Sequence, residues 1–399
     1  MDSLAKLLLQ CAILTAFLVN SPLTKVEGSF DESTSLPEFT ALVDWIRSHE
    51  GGFVDDRLAV LSIPLDNSNS TFYRGVFTTG VVHPGERLCY IPWATIIGPR
   101  GFRPEFDAPL VDTAFHLSHE LKYGETSPFA PYLKVIGQQQ ITNPSSWSLS
   151  GRALFQQMIG DVLPPHHFDR HVEWFVQHYG MNSDLMKAFF WVSNRAMQAD
   201  TGNQWLLVPL VDQYNHHSDD GKVNTARFAS RGNGFEVIAT KFVQAGSELY
   251  TKYWGDYTHF FFEEFGFVEE YPQRWEFDLR HVGGSVLEVR LSPIQNATNP
   301  KQFHLEWFTD TPDIASMDIM KRELIRLQEF ERVYLKDLDS YHSVPKTEKD
   351  LILGYHRALM TALDQVVVAA SAGERSEEEE CIAEMAVTCL GESRRKLSP

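Results

Sequence analysis

Short strand-like runs, with no helix between them, stand on both sides of a helical stretch, and this order constrains the fold more than any other feature of the chain. Ahead of the helical stretch come Arg57 to Ile63, Phe72 to Phe77 and Arg87 to Ile91, each punctuated by Gly, Pro or Asn. Behind it come Leu206 to Val211, Thr225 to Ile238 and Glu248 to Tyr253. Between them, Pro109 to Ala199 carries helical periodicity at Val111 to Tyr123, Arg152 to Leu163 and Leu185 to Met197. A doubly wound parallel sheet needs a helix between successive strands, so that architecture is excluded. The pattern predicts an α+β fold of short β-strands with a helical insert at about residues 100–200.

The flanks are helical. Phe39, Leu42, Val43, Trp45 and Ile46 share one face of a helix predicted over Pro37 to Glu50, which Gly51-Gly52 stops. Beyond Pro272, after a few strand-like runs, helices are predicted over Asp318 to Ser340 and Thr347 to Ala372. The first carries an apolar stripe of Ile319, Leu324, Leu327, Phe330 and Tyr334. The charge run Gly373 to Glu380 reads as solvated. The resulting boundaries are a leader at 1–28, an N-terminal helix within 29–50, a main domain at 51–268, a small mainly helical domain at 269–372 and an acidic flexible tail at 373–399. There is no internal repeat.

The leader follows from Leu7 to Val19, an apolar run after a single Lys6 that is too short to span a bilayer and fits a signal-peptide core. A buried N-terminal helix is the other reading of that run. The sequons at Asn69 and Asn296 agree with secretory entry, directly or on the way to an organelle such as a plastid. No transmembrane segment is expected in the mature chain, which is expected to act as a monomer. The 53 acidic against 35 basic residues give a formal charge of −18, which repels a phosphate backbone and attracts a basic protein segment. The 4 cysteines include no CxxC pair, so a tetra-cysteine zinc site is excluded.

The chemistry concentrates in two segments. In LLVPLVDQYNHHSDD, Leu206 to Asp220, an apolar run delivers Asp212, Asn215 and His216 to the end of a buried element. Burial without partners would cost a few kcal/mol each, so either a polar ligand or turn hydrogen bonds must satisfy them. A metal held by Asp212, His216, His217 and Asp219 is a weaker reading, because adjacent histidines point apart on a strand. In AGSELYTKYWGDYTHFFFEEFGFV, Ala245 to Val268, a turn leads into a strand ending at Tyr253, then an aromatic helix-like stretch closes with Phe265-Gly266-Phe267. Taken alone, Tyr253 is an ordinary half-buried strand tyrosine.

Together the two segments resemble the C-terminal motifs of the SET domain, in the branch of the RuBisCO large-subunit lysine methyltransferases and the actin histidine methyltransferase. Pro209, Asp212, Asn215 and His216 match one motif; Gly246, Glu248, Leu249, Tyr253, Phe265, Gly266 and Phe267 match the other, in order. Upstream, Tyr73 to Pro92 is similar to the branch's opening hairpin, Ser127 to Ile136 and Ser146-Trp147-Ser148 to its helical insert, and Trp191 to Met197 to the segment before the Asn-His motif. The C-terminus, including Lys346 to Leu351, resembles its helical substrate-binding domain. The likeness covers roughly Pro37 to Ala372.

The resemblance implies an S-adenosyl-L-methionine-dependent protein-lysine N-methyltransferase acting on a protein substrate, with no metal. It implies that Arg74 and Gly75 line the methionine end and ribose of the cofactor through their backbone, that Arg195 meets its carboxylate, and that Asn215 and His216 hold its amino group and adenine. Tyr253 is the implied catalytic tyrosine, and Asn194, Asp212, Thr251 and Phe265 the implied substrate-channel residues. A threonine at 251, two before the tyrosine, implies room for a second or third methyl group. Departures fall at Tyr73, Asn194, Met197, Trp254 and Phe265, where the branch usually has Gly, Ser, Phe, Gly and Tyr. Two alternatives therefore stay open: methylation of a histidine, which the Asn194 amide would suit, and a non-catalytic SET-like binding module, which Tyr73 and Trp254 would suit.

Overall fold

The computed structural model describes residues 37–64, 72–101, 109–139, 141–163, 168–180, 183–198, 204–230, 234–253, 255–294, 303–335 and 341–395. The apolar run Leu7 to Val19, both sequons and Trp254 lie outside the described residues. The chain forms two compact units, one from Met1–Ile141, Tyr179–Trp254 and Asn296–Lys301, the other from Thr142–His178, Gly255–Gln295 and Gln302–Pro399. No described helix is long and apolar enough to cross a membrane.

Among the described residues the first unit has ten short strands: β1 (Phe53–Val54), β2 (Leu58–Pro64), β3 (Phe72–Thr78), β4 (Arg87–Pro92), β5 (Met197–Gln198), β6 (Trp205–Leu206), β7 (Asn215–His216), β8 (Thr225–Ser230), β9 (Gly234–Ala239) and β10 (Tyr250–Thr251). An antiparallel sheet runs in the order β1-β4-β9-β8, and β2 pairs with β3. β7 and β10 pair in parallel, with Asn215 opposite Tyr250 and His216 opposite Thr251. That pairing brings the two sequence motifs side by side. The predicted N-terminal helix runs over Pro37–Ser48 and buries Phe39, Leu42 and Ile46, the face its periodicity marked. Helices Pro109–Tyr123, Ala130–Gly137 and Ser183–Arg195 complete the unit.

One predicted strand is corrected. The run Leu206 to Val211 is extended only at its start, where Leu206 pairs with Met197 in β5 and Leu207 bridges Ile97. It then breaks. Pro209 has no N–H for a ladder, and Leu210 takes φ 69° and ψ −40°, entering a 3₁₀ turn over Val211–Gln213. Asp212 therefore sits on a tight turn and not at a strand end.

In the second unit, β11 (Gln273–Asp278), β12 (Val286–Pro293) and β13 (Phe303–Trp307) make an antiparallel sheet. Trp275, Phe277, Leu287, Val289 and Leu291 form one buried core with Leu327, Phe330, Tyr355 and Leu359 from the C-terminal helices. The predicted stripe is confirmed in that core, with Ile319, Leu327 and Phe330 buried and Leu324 and Tyr334 partly so. The helix Thr258–Phe265 ends on Gly266 at φ 73°. A Cβ there would lie 2.3 Å from the Thr142 carbonyl carbon, so only glycine fits. Two segments singled out in the sequence also meet: the Ser148 N–H and hydroxyl both donate to Glu348, at 2.9 and 2.6 Å. The last helix spans Lys346–Arg395, running on past Ala372, where a flexible tail was predicted. Residues such as Glu, Ala, Met and Leu favour helix, and no proline intervenes.

His356 is a titratable group inside this core. Its Nε2 donates to the Leu327 carbonyl at 3.0 Å, and its Nδ1 is buried with no partner among the described residues. Burial holds the imidazole below its usual value against the help of that hydrogen bond; Glu331 opposes the shift, while Arg357 and Arg326 add to it. A depressed histidine stabilises the fold above its unfolded value of about 6.5 and loses that contribution as pH falls through the folded value. Thermal melts should therefore drop between about pH 7 and pH 5, and His356→Gln should flatten part of the drop. Equal slopes for the two proteins would remove His356 as a cause.

Candidate active site

Gly75 and Asn215 meet at the centre of the first unit. The Asn215 amide donates to the Arg74 carbonyl at 2.6 Å and to Glu248 Oε1 at 2.8 Å. Both amide hydrogens are thereby used, and what Asn215 can still offer a ligand is its carbonyl oxygen, an acceptor. Gly75 is buried, and a Cβ there would lie 2.2 Å from Glu248 Oε1 and 2.9 Å from Asn215 Nδ2. The glycine is thus required by close approach. Glu248, a motif residue with no role assigned from sequence, is the buried acceptor that fixes Asn215.

Beside this lies a charged network. The Asp212 carboxylate is fully buried and accepts from the Tyr132 hydroxyl at 2.9 Å and from Gln213 Nε2 at 2.7 Å; Arg195 Nη1 stands 3.6 Å away. Burial raises its pKa, with Arg195 as the main opposing influence. The Arg195 guanidinium lies 5.4 Å from the Trp191 ring, and that of Arg74 5.4 Å from the Phe39 ring. Burial lowers the Arg74 pKa, and the positive charge of Arg195 lowers it further. Arg74 Nη1 and Arg195 Nε are both buried donors with no partner among the described residues. Two like charges with unmet donors make a place where an anion would be stabilised.

Tyr253 is held by the Asn-His segment. Its hydroxyl donates to the Tyr214 carbonyl at 2.8 Å, and its backbone N–H donates to His216 Nδ1 at 3.0 Å. An accepting Nδ1 places the ring proton on Nε2, where Ser218 Oγ lies at 3.3 Å. The His216 imidazole thus orients the tyrosine's backbone. Burial pushes the Tyr253 phenol up to about 12, so it stays protonated at neutral pH.

The remaining sequence-derived residues are placed as follows. Asn194 is the next-to-last residue of the helix Ser183–Arg195. Thr251 is buried on β10 opposite His216. Phe265 belongs to the second unit, where its ring packs with Phe260, Phe261 and Phe267. Among the described residues, no group of three or more His, Cys, Asp or Glu could hold a metal. Sequence reasoning missed Tyr132 and Glu248 as partners; the signal for both was a buried acid in need of a donor.

No protein-family model matches the sequence, and no curated protein does either. Solved structures do match. The SET domain of LSMT bound to lysine and AdoHcy superposes with a TM-score of 0.53 at 12% identity, covering 85% of this chain and 92% of that one. Rubisco LSMT bound to AdoMet gives 0.52 at 12%, with the same coverage. The SET domain of LSMT bound to methyllysine and AdoHcy gives 0.52 at 14%, covering 85% and 93%. The chain has the SET fold, as the resemblance of its two motif segments implied.

Proposed function

We propose that this chain is an S-adenosylmethionine-dependent methyltransferase acting on a nitrogen of a protein side chain, a lysine amine in the first instance. The observation that carries the reading is the pair of buried, unpartnered donors, Arg74 Nη1 and Arg195 Nε, beside Asn215. An amino-acid end group fits what these residues offer. The two arginines would take a carboxylate, Asn215 Oδ1 would accept from an amino group, and Gly75 would give the close backbone approach. Structures that share the fold are bound to AdoMet, or to lysine with AdoHcy, which supports the same choice.

Bound there, the cofactor would supply an electrophilic methyl group on a positively charged sulfur. The chain's own residues would supply alignment. Tyr253 keeps its proton and directs it to the Tyr214 carbonyl, so its oxygen presents lone pairs. Those lone pairs can accept from a substrate N–H and aim the nitrogen's own lone pair. Holding reactants in line is worth several powers of ten in rate. The charge of −18 favours a substrate segment rich in basic residues.

Calorimetry with S-adenosylmethionine tests the reading directly. The wild type should bind, and Asn215→Ala should weaken binding by about 1–3 kcal/mol. Mass spectrometry of lysine-containing peptides incubated with cofactor should then show mass added in methyl steps. A wild type that binds no cofactor would end the proposal; equal affinity for both proteins would reduce the Asn-His segment to a structural turn.

A further inference from the structure

Tyr253 is held at a third point that no sequence motif marks. Arg227, on β8, donates from Nη2 to the carbonyl of Lys252, the residue just before the tyrosine, at 2.6 Å. Its Cζ lies 6.0 Å from the centroid of the Tyr253 ring. Its Nη1 reaches Met197 Sδ at 3.5 Å, two residues after Arg195. One guanidinium therefore ties together the peptide before Tyr253, the Tyr253 ring and the strand that follows the Ser183–Arg195 helix.

We propose that Arg227 is a positioning residue for Tyr253, and that its charge also helps keep an amine nucleophile neutral at this site. The second half rests on the methyltransferase reading; the first does not. The fork of a guanidinium supplies two donors at a fixed angle, which the point charge of a lysine cannot reproduce. Geometry and charge are therefore separable by substitution. A lysine amine has an ordinary value near 10.4 and is mostly protonated at neutral pH. A nearby cation disfavours that protonated form and raises the reactive fraction, and the Arg227 guanidinium stands 6.0 Å from the Tyr253 ring. The charged groups around Tyr253 are Arg227 and Arg195, with Asp212 and Glu248 opposing them; the His216 ring lies 5.4 Å away.

The experiment compares wild type, Arg227→Lys and Arg227→Met, each with a fluorotyrosine at position 253. The fluorine resonance reports the ring's surroundings with or without activity. It should be one sharp line in the wild type, shifted or broadened in both variants, and most displaced in Arg227→Met. Methyl transfer to a library of lysine-containing peptides should fall about tenfold or more in both variants, mainly in kcat, since alignment is lost. The acid limb of kcat against pH, which reports the bound amine, should move to higher pH in Arg227→Met and stay in place in Arg227→Lys, which keeps the charge. Cofactor affinity by calorimetry should not change. A fluorine spectrum identical in all three proteins would overturn the positioning role. A shifted spectrum with unmoved pH limbs would overturn the charge role. A shifted spectrum in a wild type that transfers no methyl group would uphold the positioning and reject the methyltransferase reading and, with it, the charge role.

Discussion

Tyr253→Phe should slow methyl transfer about a hundred-fold while leaving the fold and cofactor affinity in place. The ring would keep its neighbours, with His216 at 5.4 Å and the Arg227 guanidinium at 6.0 Å. Only the hydroxyl goes, along with its 2.8 Å hydrogen bond to the Tyr214 carbonyl. A phenol pushed up to about 12 stays protonated near neutral pH, so on the proposed reading the lost oxygen would serve as an aligning acceptor and not as a proton sink. The loss should therefore fall on kcat, with little change in KM for the peptide. Single-turnover rates at saturating cofactor measure it. A rate within twofold of wild type would exclude Tyr253 from the reaction.

Asp212→Leu should cost about 3–5 kcal/mol of stability, the scale for leaving one member of a buried ion pair alone. The substitution would strip Arg195 of its nearest counter-charge at 3.6 Å. It would also leave the Tyr132 hydroxyl and Gln213 Nε2 without their acceptor. Asp212→Asn, which keeps one acceptor oxygen, should fall between the two. Because Arg195 is proposed to meet the cofactor's carboxylate, affinity should drop together with stability. Urea titration and calorimetry on the three proteins separate these effects. A leucine variant as stable as wild type would mean that Arg195 is neutralised elsewhere.

The sequence revealed most of the local structure, because helices and strands carry their period in neighbouring residues. The face of the Pro37–Ser48 helix and the stripe through Ile319, Leu327 and Phe330 were legible for that reason. Asn215, His216 and Tyr253 were legible as motif residues, yet the hydrogen bonds that join them were not. The resemblance implied a cofactor role for His216 and said nothing of its ring, which accepts the tyrosine's N–H. Tyr132 escaped notice because its carboxylate partner is 80 positions away, and Asn215 reaches a carbonyl 141 positions away. No window of sequence contains both ends of such a bond. The break at Leu210 was hidden for another reason, since a positive φ is expected of glycine and not of leucine.

That leucine is the one non-glycine residue with positive φ among the described residues, and it stands two positions before Asp212. Holding a residue with a side chain in such a conformation costs on the order of 1–3 kcal/mol. Leu210 is 1% exposed, and burying a leucine side chain returns about 1.5–3 kcal/mol. The two are nearly equal, so burial of the side chain offsets the strain of the backbone that carries it. The carboxylate beside Arg195 thus stands on a turn whose backbone strain is offset by an apolar side chain, while Tyr132 and Gln213 hold its oxygens.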